Sequence, residues 1–324
     1  MHTRGGRHFS TDRESARATT GRAEHAEGMG WADVFEEAGV RVASRDLLIA
    51  HGASGRMLTS AVRSEHLIRA RRDHYLLPQD SRRLVEAVRV GGRMGCITAL
   101  ADSGVFAQDP LGPHIYIARG MSRMRSPRSR FLPLHDRNRN GAELHWLPLL
   151  DEENAPEFSV SVVDALAQAL LCQPPWLALA SVDNALFADA VTRHQVARIF
   201  ETGPERLRYL ERYIDGRAEA GQETILRMII RAAGLGCDLQ VSVPDVGRVD
   251  MIVEGCLALE ADSRLAHDGW ERHVEDRHRD LLLAERGYMS LRPAYQHTMN
   301  EPRLVLASVL GLLRQSNHSR RIFG

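Results

Sequence analysis

The chain contains no lysine. All 42 of its basic side chains are arginine, which excludes a lysine nucleophile, a lysine Schiff base and a phosphate-binding loop ending in lysine. No apolar run approaches the ~18 residues needed for a membrane-spanning helix, so no membrane partner is expected. The first residues, Met1 to Arg7, are basic but lead into no apolar segment. A secretory signal is therefore not expected, and a cytoplasmic location is. Cysteine is scarce. Cys96, Cys172, Cys237 and Cys256 are widely spaced, without the Cys-x-x-Cys spacing of a zinc site, and read as reduced core residues.

What is present describes a globular protein of two or three domains, 44% hydrophobic and 26% charged over 324 residues. The formal charge of zero hides a division. Residues 31–140 carry 18 Arg against 11 Asp and Glu, whereas residues 141–324 carry 19 against 27. A basic front half suits a polyanion and an acidic back half suits a cation, although solvated surface alone also yields such a split.

Residues 1–30 are polar and expected to be a disordered tail. Over 31–78 three short helices are expected, with Ser44 and Ser54 as N-caps of the second and third, followed by a hairpin turning near Arg72 and Asp73. Helices followed by a hairpin make a winged helix-turn-helix. Arg56 and Arg63 on the third helix and Arg69, Arg71 and Arg72 on the wing would then be DNA phosphate contacts. A small helical domain with a solvated arginine face is the alternative. Residues 79–158 read as a small α/β region containing an arginine-rich loop, and 159–221 as a helical connector. Residues 222–324 follow the order α-β-β-β-α-β-α, so the fold class is α/β, or α+β for the whole chain.

The most informative segment is Val249 to Asp262. Two apolar runs there carry Asp250, Glu260 and Asp262, and carboxylates belong on buried strands only when paired or bound to a cation. Glu260 and Asp262 share a strand face. Asp250 joins them if it pairs opposite Glu260, which requires a three-residue loop, Glu254 to Cys256, with Gly255 left-handed. Three converging carboxylates would hold a hard divalent ion, Mg²⁺ or Mn²⁺, rather than zinc.

The element order and the motif set resemble the PD-(D/E)XK restriction-endonuclease-like fold, and more closely a very-short-patch-repair (Vsr)-like endonuclease domain of uncharacterised actinobacterial proteins. The resemblance covers about residues 220–297. It rests on Glu223, Arg248 to Asp250, Glu260 to Ser263, His267, Asp276 with Arg279 and Asp280, Gly287 with Tyr288, and Leu291 with Arg292. More weakly, Arg56 to Pro78 is similar to the winged-helix domain of type IV (abortive-infection) antitoxins. The resemblance implies a Mg²⁺- or Mn²⁺-dependent DNA endonuclease with Asp250, Glu260 and Asp262 as metal ligands, DNA as partner and a homodimer among the expected assemblies. It also implies supporting roles for Glu223, for His267 as general base and for Arg279 as phosphate clamp. The lysine of the broader superfamily is replaced by Asp262, and the Gly that often follows is Ser263. Each residue keeps an ordinary reading. Asp250 and Glu260 also read as solvated turn carboxylates, Asp262 as a turn cap, His267 as a surface histidine and Glu223 as a helix N-terminal acid. Arg279 also reads as the partner of Asp276. A non-catalytic DNA-binding regulator or antitoxin that keeps the nuclease fold is the alternative function.

Overall fold

The computed structural model describes residues 30–108, 111–262 and 270–323, with the side chains of 270–273 and 316–323 left aside. The tail expected over 1–30 lies outside the described residues apart from Gly30. The chain is a mixed α/β protein that divides into two compact units. One is built from the chain up to Met94 together with Ile117–Glu143, the other from Gly95–Tyr116 together with the chain from Leu144 onward. The expected middle region, 79–158, is thus shared between the two units.

In the first unit, α1 (Trp31–Ala38), α2 (Arg45–Ala50) and α3 (Gly55–Arg63) precede β1 (Ile68–Arg71) and β2 (His74–Leu76). Ser44 accepts from the Leu47 N–H at 3.1 Å and Ser54 from the Met57 N–H at 3.3 Å. Each cap contributes about 1 kcal/mol. The turn between β1 and β2 is Arg72–Asp73, with Asp73 left-handed at φ 60°. Ala43 adds a one-residue bridge to Tyr75, and Val34, Phe35, Leu48, Leu58, Leu67 and Tyr75 form the core. A further helix, α4 (Arg82–Val90), follows, before a short strand at Arg93–Met94. The arginine-rich segment contains a hairpin of Arg125–Ser126 with Ser129–Pro133. It is held by arginines that donate to backbone carbonyls, Arg130 to Arg69 and Arg89 to Pro127, both at 3.2 Å.

The second unit begins with α5 (Cys96–Asp102) and β3 (His114–Tyr116) and resumes at Leu144, within β4 (Glu143–His145). Then follow α6 (Val162–Cys172), α7 (Pro175–Phe187), α8 (Arg193–Thr202) and α9 (Gly221–Ala232). A buried ion pair couples α7 to α9. Asp183, fully enclosed, accepts from Arg227 at 2.6 Å and from Thr224 at 2.8 Å.

A four-stranded sheet comes next, made of β5 (Cys237–Val243), β6 (Gly247–Val253), β7 (Leu257–Leu259) and, after α10 (Trp270–Glu285), β8 (Met289–Leu291). Its order is β8-β7-β6-β5. β8 runs parallel to β7, and the other pairs are antiparallel. The chain closes with α11 (Tyr295–Asn300) and α12 (Pro302–Phe323). One sheet face packs Met251, Val253, Leu257 and Leu259 against Leu226 and Ile230 of α9 and Val305 and Val309 of α12. The other packs Ile252 and Ala258 against Leu283 of α10.

Candidate active site

The sheet ladders line up a row of polar side chains. Leu259 pairs with Met251, so Glu260 stands opposite Asp250. Leu239 with Met251 and Val241 with Val249 put Gln240 on the other side of Asp250. Leu259 beside Leu291 puts Arg292 next to Glu260. The row Gln240, Asp250, Glu260, Arg292 therefore crosses all four strands. This register needs an odd loop, and the chain supplies one at Glu254 to Cys256. Both Glu254 and Gly255 are left-handed there, at φ 48° and 66°, where glycine alone was expected to be. Asp250 and Ile252 share a face, and Ile252 packs against α10, so the row lies beneath that helix.

Glu223 joins from the first turn of α9. Its carboxylate accepts from the Ala220 N–H at 2.9 Å, the Glu219 N–H at 3.2 Å and the Gln240 amide at 2.7 Å. This is a helix-capping arrangement that also places a buried acid against the row. Burial pushes the Glu223 carboxyl up to about 7, and the neighbouring Asp250 charge adds to the shift. Asp250 accepts from the Ala261 N–H at 2.9 Å. Burial raises its carboxyl, opposed by that hydrogen bond and by Arg279. Burial likewise raises Glu260 against the pull of Arg292 and Arg279.

Two arginines flank Glu260. Arg279, from α10, donates to Glu260 Oε1 at 2.7 Å and to the Arg248 carbonyl. Asp276 lies 3.4 Å from Arg292. Arg292 forms an ion pair with Glu260 Oε2 at 2.8 Å, and that buried oxygen accepts no hydrogen bond. Asp262 is exposed on the same edge, its backbone continuing the pairing through Pro293 and Tyr295.

These groups line one open cleft of about 720 Å³. The cleft brings together Glu223, Asp250, Glu260, Asp262 and Arg279. His267 lies outside the described residues. The carboxylates share the cleft without closing on a point. Among the described residues, the set of three or more metal-type ligands whose atoms lie within 4.8 Å of one another is elsewhere. Like charges repel, and Glu260 lies against Arg279 and Arg292 instead. Seven carboxylates line the cleft against four arginines, Arg248, Arg277, Arg279 and Arg292. Gln240 was not singled out in the sequence, and Arg292 entered there only through the resemblance, with no part assigned to it in the site. The alternation of β8, continued by one residue, was the available signal for Arg292.

In the first unit Arg56, Arg63 and Arg72 are exposed and Arg69 is half-buried, its guanidinium 5.8 Å from the Tyr75 ring centroid. Arg71 is half-buried. Its guanidinium crosses Gly91 and donates to the Val90 and Arg123 carbonyls at 3.3 and 3.4 Å, contacts that also tie the unit together.

Comparison of the sequence with protein-family models gives no match, and comparison with curated proteins gives none.

Proposed function

We propose that the chain is a metal-dependent DNA endonuclease that hydrolyses phosphodiester bonds, with its N-terminal helices and hairpin serving as a winged-helix DNA-binding module. The observation that carries this reading is the row Asp250–Glu260 crossed by Glu223 in a cleft with an excess of carboxylates. A phosphodiester is an anion, and a cleft with three more acids than arginines repels it unless a cation enters. The donors are oxygens, and one buried Glu260 oxygen lacks a hydrogen bond. Such a donor set fits a hard divalent ion, Mg²⁺ or Mn²⁺, held by Asp250 and Glu260 with Asp262 beside them. Bound there, the ion would neutralise phosphate charge and make an attacking water more acidic. Arg279 and Arg292 then turn toward phosphate oxygens, which suit the guanidinium fork. Glu223, with its carboxyl near 7, is matched to taking up a proton at neutral pH.

A second reading rests on Glu260 already lying between two arginines. A carboxylate neutralised that way needs no metal, which favours a non-catalytic, antitoxin-like DNA-binding regulator. Nicking of supercoiled plasmid separates the two. With Mg²⁺ or Mn²⁺ the wild type is expected to nick, and Asp250→Asn and Glu260→Gln are expected to lose at least ~100-fold. Equal activity in all three proteins, or DNA binding without cleavage in any, overturns the nuclease reading.

A further inference from the structure

Two of the four cysteines are not ordinary core residues. Cys237 and Cys256 do pack with the sheet core. Cys96 and Cys172 instead meet His114 and His145, and the ligand atoms of all four lie within 4.8 Å of one another. We infer that Cys96, His114, His145 and Cys172 form a tetrahedral Cys₂His₂ site for a structural zinc ion, separate from the carboxylate cleft.

One edge matches tetrahedral zinc, and the other is about 0.2 Å short of it. His114 Nδ1 is 3.1 Å from His145 Nε2, and Cys172 Sγ is 3.7 Å from His114 Nδ1. Zinc bonds of about 2.0–2.1 Å to nitrogen and 2.3 Å to sulfur give tetrahedral edges of roughly 3.3–3.8 Å. The donors are soft or borderline, as zinc prefers and Mg²⁺ does not. Cys96, His114 and His145 are buried, and four protein ligands leave no open position, so the site is structural rather than catalytic.

The backbone is shaped to present these ligands. Cys96 takes the left-handed conformation at φ 48°, costly for a residue with a β-carbon and maintained only where the surroundings enforce it. Its N–H is held by the Gln168 side chain at 2.8 Å. A Cβ on the preceding Gly95 would sit 2.7 Å from Gln168 Oε1, the acceptor of that bond, and 3.0 Å from the Tyr116 nitrogen, so a side chain there would displace one of them. The His114 N–H is fixed by Thr98 Oγ1 at 2.9 Å. On the ligand side, the Gln173 amide lies 3.6 Å from Cys172 Sγ, a donor suited to a thiolate. The four ligands come from α5, β3, β4 and the end of α6, so one ion would tie together segments far apart in the chain.

The test uses the full chain, purified without chelator and with zinc in the growth medium. Elemental analysis and native mass spectrometry are expected to give about one zinc per chain. Replacement by Co²⁺ is expected to give visible bands of tetrahedral cobalt and a thiolate charge-transfer band. Cys172→Ser and His145→Asn should lose the metal, whereas Cys256→Ser should keep it. If the first two fail to fold, wild-type protein stripped with chelator decides: its melting temperature should fall and recover on adding zinc. Substoichiometric metal that zinc addition does not raise, octahedral cobalt bands, or a Cys96–Cys172 disulfide in peptide maps would each overturn the inference. None of these readouts depends on nuclease activity.

Discussion

At Glu223, helix formation and site chemistry draw on one carboxylate. Its three donors stabilise the charged form, while burial and Asp250 oppose it, and the opposition wins, raising the carboxyl from 4.5 to about 7. The consequence for stability follows from linkage. Below pH 4.5 both folded and unfolded chains hold the proton and nothing is lost. As pH rises toward 7 the unfolded chain releases its proton first, so folded stability falls, by about 3 kcal/mol once pH exceeds 7. Glu223→Gln cannot titrate. Urea midpoints at pH 5 and pH 8 should therefore differ less in this variant than in the wild type. An identical difference in both proteins would show that Glu223 is ionised in the fold throughout. Arg292 illustrates a different feature of the residue scale. A side chain one step past a short strand can complete a row that the sequence shows only once pairing is known.

Among the elements, α9 matters most because it carries Glu223. It is fixed by Asp183 of α7, which accepts from Arg227 and Thr224 and also from the Asp215 and Gly216 N–H groups at 2.8 and 3.2 Å. Removing one partner of a buried pair strands the other charge, a loss of about 3–5 kcal/mol. Asp183→Asn is expected to lower the urea midpoint accordingly, and a change within ~0.5 kcal/mol would show that Arg227 finds another acceptor. The elements themselves were largely legible in the sequence. The caps at Ser44 and Ser54 and the hairpin around Gly255 are local signals, and each element lies where its signal sits. The element order of the last hundred residues was legible for the same reason, except that a short helix, α11, stands between β8 and the final helix. Partnerships across long separations were not. Arg71 reads as an exposed wing residue until its contact with the Arg123 carbonyl is seen. Cys96 and Cys172, 76 positions apart in the numbering, carry no zinc spacing because their site is assembled by tertiary packing. The arginine-rich segment reads as a loop in the sequence because a hairpin pinned by guanidinium–carbonyl bonds has no apolar alternation to announce it.

For the whole molecule, the charge division separates two kinds of anion contact that a binding assay can tell apart. The front residues 31–140 are net basic and the later residues net acidic, so DNA affinity in the proposed reading comes mainly from arginines of the first unit. Each phosphate neutralised releases condensed counterions, so the logarithm of the binding constant falls with the logarithm of salt by about 0.9 per contact. Arg56 and Arg63 project from α3 into solvent. Replacing either with Ala should weaken binding of any duplex and flatten that slope by about 1, leaving the melting temperature unchanged. Arg71→Ala should do the reverse: its guanidinium bonds the Val90 and Arg123 carbonyls, so its loss lowers the melting temperature and leaves the salt slope as it was. Fluorescence anisotropy of a labelled duplex across a salt series, with the full chain, measures all three. Equal slopes for wild type, Arg56→Ala and Arg63→Ala would remove α3 from the DNA surface, and with it the reason for assigning a winged-helix role to the first unit.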